Sequence, residues 1–179
     1  MAADDFFGAG VDMASALGGL NNLGGPIAQS LARSMCVAGG KLFRDEAKLL
    51  VPVGEGKWYG TSTTPGLLKS AIYLAYKDQV STTELKVYSV SWNVGIAPHG
   101  HWIEFGRVQR FVVAQDPQGE WYTTKVPLPA PRFIAGHPFL RPAYETMKSP
   151  AIQAMIDRAV VRLPELIQGA YQPRDEEFV

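Results

Sequence analysis

The sequence has little of the features that assign a protein to a class at once. Its only cysteine is Cys36, so the chain cannot form an internal disulfide, which fits a reducing cytoplasm. No run approaches the roughly 20 apolar residues that a membrane-spanning helix needs. The first residues, MAADD, lack the basic region and the apolar stretch of a secretory signal peptide. These absences predict a protein that is made and used in a cytoplasm and does not associate with a membrane.

An excess of one charge is also missing, because 17 Lys and Arg residues balance 17 Asp and Glu residues. A dedicated nucleic-acid-binding protein usually carries a strong basic excess, so the balance argues against that class. A net charge of zero also weakens the repulsion between copies, which suits a protein that associates. Hydrophobic residues make up 46% of the chain and charged residues 19%, which is the composition of a globular domain.

Three segments are expected along the chain. Residues 1–25 are small and rich in glycine, which indicates a flexible N-terminal arm that is disordered or that orders on assembly. Residues 26–170 have the length of a single domain. Residues 171–179 form an acidic C-terminal tail.

Apolar residues at helical spacing predict three helices. The first begins at Pro26 and ends near Leu50, before the Val51-Pro52 step. Gly39-Gly40 in its middle cost about 1 kcal/mol each relative to alanine, so another backbone must pack there or the helix must kink. A short helix over residues 66–70 follows Thr64-Pro65. The last helix is expected to begin at Ser149-Pro150, and Pro164 should kink or stop it.

Alternating and apolar runs predict the strands. Residues 72–76 and 85–92 are joined by a short polar segment, which favours antiparallel pairing. Residues 107–114 and 121–126 flank Asp116-Pro117 and Gly119, which is the chemistry of a hairpin turn. Pro127, Pro129 and Pro131 then indicate a stiff connector, so the hairpin and connector occupy residues 107–135. The predicted fold is α+β: an antiparallel sheet of about four strands, packed on one face by a long N-terminal helix and a C-terminal helix, with an extra protruding β-hairpin.

The only cluster in the sequence with metal-ligand chemistry is His99, His101 and Glu104. Two imidazoles and a carboxylate could bind zinc, and a metal-dependent enzyme is the alternative of another class. The spacing argues against it. On a helix His101 and Glu104 share a face that excludes His99, and on a strand the two histidines share a face that excludes Glu104.

Other common catalytic motifs are missing from the sequence. The sequence has no Gly-x-Ser-x-Gly elbow and no phosphate-binding loop, and Cys36 lies in a predicted helix as a small core or interface residue. We therefore expect no enzyme, no catalytic residue and no cofactor.

Basic residues concentrate around the hairpin, where only Asp116 and Glu120 oppose them. They could contact nucleic-acid phosphates, so a DNA-binding module is a second alternative function. We prefer the interpretation that the hairpin is solvated or contacts an acidic neighbour. Trp121, on a hairpin that projects, is a candidate interface anchor. The candidate interface residues are Arg107, Arg110, Trp121, Lys125 and Arg132.

Four segments in order resemble the tail-completion, or head-to-tail joining, proteins of long-tailed bacteriophages, the family typified by the minor tail component of lambdoid phages. KLFRDEAKLLVPV (41–53) resembles the family's N-terminal helix, and GLLKSAI (66–72) its "G-x-L-[KR]-x-S-I" step. Val94-Gly95 with HWIEFG (101–106) resembles its "E-f-G-T" block, and PFLRPA (138–143) its closing "P-F-L-[RK]-P-A". The motif residues are His101, Trp102, Glu104, Phe105, Gly106, Pro138, Phe139, Leu140, Arg141 and Pro142.

The chain departs from the family pattern in three places. Arg107 stands where the family usually has threonine, residues 108–135 are longer than the minimal pattern, and residues 1–25 are extra. Within the motifs, Phe139 and Leu140 are expected to enter the core and Pro142 to open a helix. Glu104 is expected to be a structural carboxylate, bonded to backbone or to an arginine such as Arg141.

The resemblance implies a structural protein of the virion neck, assembled in the bacterial host cytoplasm. Copies of the chain would form a homomeric ring, a hexamer, that joins the head connector or head-closure protein to the tail terminator or tail tube protein. DNA would pass through its channel without sequence-specific binding. The alternative within the same class is a tail terminator or a head-closure ring, because small α+β ring proteins share many features.

Overall fold

The computed structural model describes residues 25–54 and 65–167. The predicted arm apart from Gly25, the loop residues 55–64 and the predicted acidic tail lie outside these ranges. The helices are α1 (Gly25–Leu50), α2 (Leu67–Ala71), α3 (Gly100–Phe105) and α4 (Leu140–Ile167), and a 3₁₀ turn covers Asp78–Val80. The strands are β1 (Ile72–Tyr76), β2 (Tyr88–Trp92), β3 (Arg107–Gln115) and β4 (Trp121–Ile134). The α+β class is confirmed.

Helices α1 and α4 form a close antiparallel pair. The Phe43 and Tyr144 rings stack at 5.6 Å near one end, and Arg158 Nε donates to Ser34 Oγ over 2.7 Å further along. A Cβ atom on Gly39 would lie 2.9 Å from Met155 Cγ and 3.3 Å from the Ala151 carbonyl oxygen. The close-packing explanation of the glycine is therefore confirmed.

The other glycine of the pair faces the first sheet. A Cβ atom on Gly40 would lie 2.6 Å from Leu74 Cδ1. Helix α1 therefore lies between α4 and β1, with Gly39 facing α4 and Gly40 facing β1. Two buried clusters result. The cluster at the sheet contains Ala47, Ile72, Phe139 and Ala143 among others, and the cluster between the helices contains Leu31, Met35 and Leu166.

The predicted start of the last helix was wrong. Helix α4 begins at Leu140, Pro150 lies inside it, and it continues past Pro164 to Ile167. Each of the two prolines removes one backbone hydrogen bond. Packing of α4 along α1 outweighs that local loss, so the Ser149-Pro150 pair does not act as a helix start.

Strands β1 and β2 pair antiparallel, with Ile72 opposite Trp92 and Tyr76 opposite Tyr88. Strand β1 has the predicted bounds. Strand β2 is shorter than predicted because the Leu85 N–H donates to Thr82 Oγ1 over 3.0 Å in a turn that precedes the strand. Helix α2 begins at Leu67, one residue later than predicted, after Gly66 in a left-handed conformation with φ 78°.

Strands β3 and β4 form the predicted hairpin, but β4 is much longer than predicted. Residues 127–131 belong to this strand, so the expected proline connector was wrong. Among the described strands β4 pairs only with β3. Its outer edge therefore has no partner strand that needs N–H donors, and proline is tolerated at such an edge. The described strands thus number four as expected, but they form two separate antiparallel pairs rather than one sheet.

No helix in the described ranges is both long enough and apolar enough to cross a membrane.

Candidate functional site

The short helix α3 carries the first motif and turns the chain into the hairpin. Its start is set by the His99 carbonyl, which accepts the N–H groups of Trp102 over 3.0 Å and Ile103 over 3.2 Å. Its end is set by Gly106, whose N–H donates to the Trp102 carbonyl over 2.9 Å. Gly106 has φ 81° and ψ 178°, a conformation open in practice only to glycine. The motif glycine is therefore a backbone requirement.

Glu104 connects the two motifs. Its side chain is buried, with 7% of the residue exposed, and it points at the start of α4. Oε2 accepts the backbone N–H groups of Phe139 over 2.7 Å and Leu140 over 3.0 Å, and Oε1 accepts that of Arg141 over 3.3 Å. These are N–H groups that a helix start leaves without internal partners. Of the two expected partners, the contact is with backbone rather than with the Arg141 guanidinium.

Two glycines bring the same segments into backbone contact. A Cβ atom on Gly106 would lie 2.6 Å from the Ile134 carbonyl oxygen, and one on Gly136 would lie 2.6 Å from the Gly106 nitrogen. The His137 N–H donates to the Ile103 carbonyl over 2.7 Å at the same place. We call this arrangement, Glu104 with the Gly106–Gly136 contact, the junction. It holds both ends of the hairpin on the domain.

The second motif supplies the core side of the junction. Phe139 is fully buried and its ring meets Trp92 edge-on at a centroid distance of 5.9 Å, while Leu140 packs beside the same cluster. Both residues were expected in the core. Pro138 precedes the helix, and Pro142 stands in its first turn, where an N–H is not needed.

The histidines are not arranged as a metal site around Glu104. The carboxylate is directed at three N–H groups, and the His101 ring lies against Trp102 at 5.0 Å. Within residues 25–54 and 65–167 no three His, Cys, Asp or Glu side chains are grouped to hold a metal ion. Partial burial lowers the pKa of His99.

Aromatic side chains form an exposed patch outside the junction. Trp102 is 46% exposed, Phe105 63% and Phe133 67%. The Phe133 ring covers Gly106, and the Arg107 guanidinium lies 5.5 Å from the Trp102 ring centre. Trp102 and Phe105 belong to the predicted motif. Phe133 was missed because it stands in the segment predicted as a connector.

The candidate interface residues divide into two groups on the hairpin. Arg107, Trp121 and Arg132 line a groove of about 460 Å³ on the curved ribbon. Arg110 and Lys125 are exposed on the same hairpin but do not line the groove.

Sequence reasoning missed one groove residue. Gln109 is buried, with 8% exposed, and its Oε1 accepts Arg132 Nε over 3.0 Å. A polar residue in an exposed hairpin gives no sequence signal of burial, because the curvature that buries it comes from register shifts after Gln109 and Phe111.

Comparisons of the chain with protein-family models, with curated proteins and with solved structures found no match.

Proposed function

We propose that this chain is a structural protein of a bacteriophage neck, which forms a homomeric ring between the head connector and the tail and leaves a channel for the genome. The observation that carries the proposal is the junction. It joins the two motifs that resemble the tail-completion family through one buried carboxylate.

The junction gives an architectural task to Glu104, Gly106 and Phe139 of the two motifs. Glu104 stabilises the start of α4, Gly106 and Gly136 permit backbone contact, and Phe139 fills the core. A rigid base of this kind presents the hairpin at a fixed angle to the domain. That is what a subunit needs when identical contacts must repeat around a closed ring.

The hairpin is suited to contact a neighbour. A two-stranded ribbon in water is marginally stable on its own. This one exposes large apolar residues, among them Val126 at 60% and Phe133 at 67%, which a protein contact would bury. The balanced charge of the whole chain suits a channel, because strong phosphate binding would slow DNA passage.

Light scattering across a concentration series, with the protein alone and then with connector-bearing heads, tests the proposal. We expect a ring of uniform mass, either preformed or formed on the heads. Heads that lack the connector are the matched control and should bind no protein.

A monomer that neither associates nor binds connector-bearing heads would reject the neck function. Stoichiometric metal in the purified protein, lost in His101→Ala, would instead favour the enzyme alternative.

A further inference from the structure

The groove on the hairpin is lined by apolar side chains and two cations. The apolar wall is made by Val112, Val113, Trp121, Leu128 and Ile134, and the cations are Arg107 and Arg132. Its volume of about 460 Å³ is that of a few side chains. This combination fits a peptide in which carboxylates stand next to an apolar residue.

Both guanidinium groups are held in place. Gln109 accepts from Arg132 Nε with one end of its amide and donates to the Phe111 carbonyl over 2.9 Å with the other. Arg107 lies over the Trp102 ring. A positioned arginine loses little side-chain freedom when a carboxylate binds, so it selects acidic groups strongly.

The backbone beside the groove can also bind a peptide. Strand β3 contains no proline, and among the described strands it pairs only with β4. Its outer edge therefore offers N–H and C=O groups to an added extended segment.

We propose that this groove binds the acidic segment 175–179, Asp-Glu-Glu-Phe-Val, of a neighbouring copy of the chain. Three consecutive carboxylates match the two arginines, and Phe178 with Val179 match the apolar wall. A second copy of the hairpin fits worse, because residues 107–134 carry four basic and two acidic residues and would repel each other. The proposal rests on the proposed self-assembly.

The length of α4 favours a segment from another copy. Helix α4 has 28 residues, which makes it about 42 Å long, and its start is at the junction beside Arg107. Fully extended, the backbone from Ile167 covers at most about 28 Å to Asp175 and about 35 Å to Glu177. Along α4, the backbone of a chain's own acidic segment therefore ends short of Arg107, and the segment of a neighbouring copy is not limited in this way.

Fluorescence anisotropy tests the contact with the labelled peptide YQPRDEEFV, residues 171–179. The protein is the full chain carrying Asp175→Asn, Glu176→Gln and Glu177→Gln, so that its own segment does not compete. We expect saturable binding that weakens about tenfold or more in Arg132→Glu, because a facing charge is reversed. Arg110→Glu is the matched control, because it makes the same change on the other strand of the same hairpin, outside the groove, and it should bind as before.

Exchanging the charges of the peptide and of residue 132 separates charge recognition from a folding defect. A peptide with Lys at positions 176 and 177 should bind the Arg132→Glu protein better than the unchanged peptide does. Equal weakening by Arg110→Glu, or no rescue by the reversed peptide, would overturn the proposal. So would preferred binding of a peptide of residues 1–9, MAADDFFGA, or of random-sequence duplex DNA that competes for the groove.

Ring assembly separates this proposal from the proposed function. In the otherwise unchanged full chain, Arg132→Glu should raise the concentration at which copies associate, and adding Glu176→Arg in the same chain should restore it. Rings that form equally well with Arg132→Glu would overturn the groove contact and leave the neck function standing. A chain that associates in an Arg132-dependent way but does not bind connector-bearing heads would do the reverse.

Discussion

Replacing Glu104 with glutamine changes a single buried group that joins two distant segments. The carboxylate accepts three backbone N–H groups at 2.7, 3.0 and 3.3 Å. Glutamine has one acceptor oxygen, which can keep the two shorter bonds to Phe139 and Leu140. Its amide nitrogen would then face the Arg141 N–H, donor against donor.

The size of the effect follows from these bonds. A hydrogen bond to a charged group contributes about 1 kcal/mol more than a neutral one, and a lost partner for a buried donor costs about 1 kcal/mol or more. The negative charge also interacts favourably with the helix start, by up to about 1 kcal/mol. We therefore expect Glu104→Gln to lower the free energy of unfolding by about 3 kcal/mol, a large share of the stability of a typical domain.

Urea unfolding followed by circular dichroism measures this difference. The matched control is Glu145→Gln on the exposed face of α4, where Glu145 pairs with Lys148 over 2.7 Å in water. Such surface pairs contribute less than about 1 kcal/mol, so the control should unfold almost as the unchanged protein does. A Glu104→Gln protein within about 0.5 kcal/mol of the unchanged one would refute the structural role given to this carboxylate.

Three further predictions concern single residues. Gly106→Ala should lower the free energy of unfolding by about 3 kcal/mol, because it adds a clash with the Ile134 carbonyl to a strained φ. Gly119→Ala has a similar φ of 83° but would make only an ordinary contact with Gln115 Nε2 at 3.6 Å, so it should cost about 1 kcal/mol in the same urea assay. Burial raises the pKa of the Cys36 thiol to about 11, so the thiol should react about a hundredfold more slowly with a thiol reagent at pH 8 than a free cysteine does. The contribution of the protonated Cys36 thiol to the free energy of unfolding is complete below pH 9 and is lost as the pH rises toward 11. Burial lowers the pKa of His99, so the folded protein should keep its full stability above pH 6.5 and lose some of it as the pH falls below that value. Nuclear magnetic resonance titration of His99 should show a midpoint below 6.5, and a midpoint above it would contradict the burial.

Elements whose signals are local were predicted well. The proline at the start of α1 and its apolar spacing gave both ends of that helix within a residue, and the alternating runs gave β1 and its antiparallel partner. Two local signals competed for the start of α4: the Ser149-Pro150 pair misplaced it, whereas the expected helix opening at Pro142 falls in the observed first turn. Glu104 was expected to bond to backbone or to an arginine, but sequence did not show which N–H groups it meets, because it lies 35 residues before Phe139.

The hairpin shows a second limit. Its turn was visible in Asp116-Pro117 and Gly119, but alternate prolines in β4 looked like a connector because sequence does not show which strand edge lacks a partner. The register shifts that curve the ribbon have no sequence signal either. Two of the charged interface candidates, Arg107 and Arg132, were brought to the groove, while the burial of Gln109 between them was not foreseen.

Electron microscopy of connector-bearing heads incubated with the purified protein tests the central claim most directly. The account predicts a ring of copies, six for the expected hexamer, seated at the connector vertex with an open channel on its axis. Heads whose connector vertex stays bare, or protein scattered over the capsid faces, would contradict it.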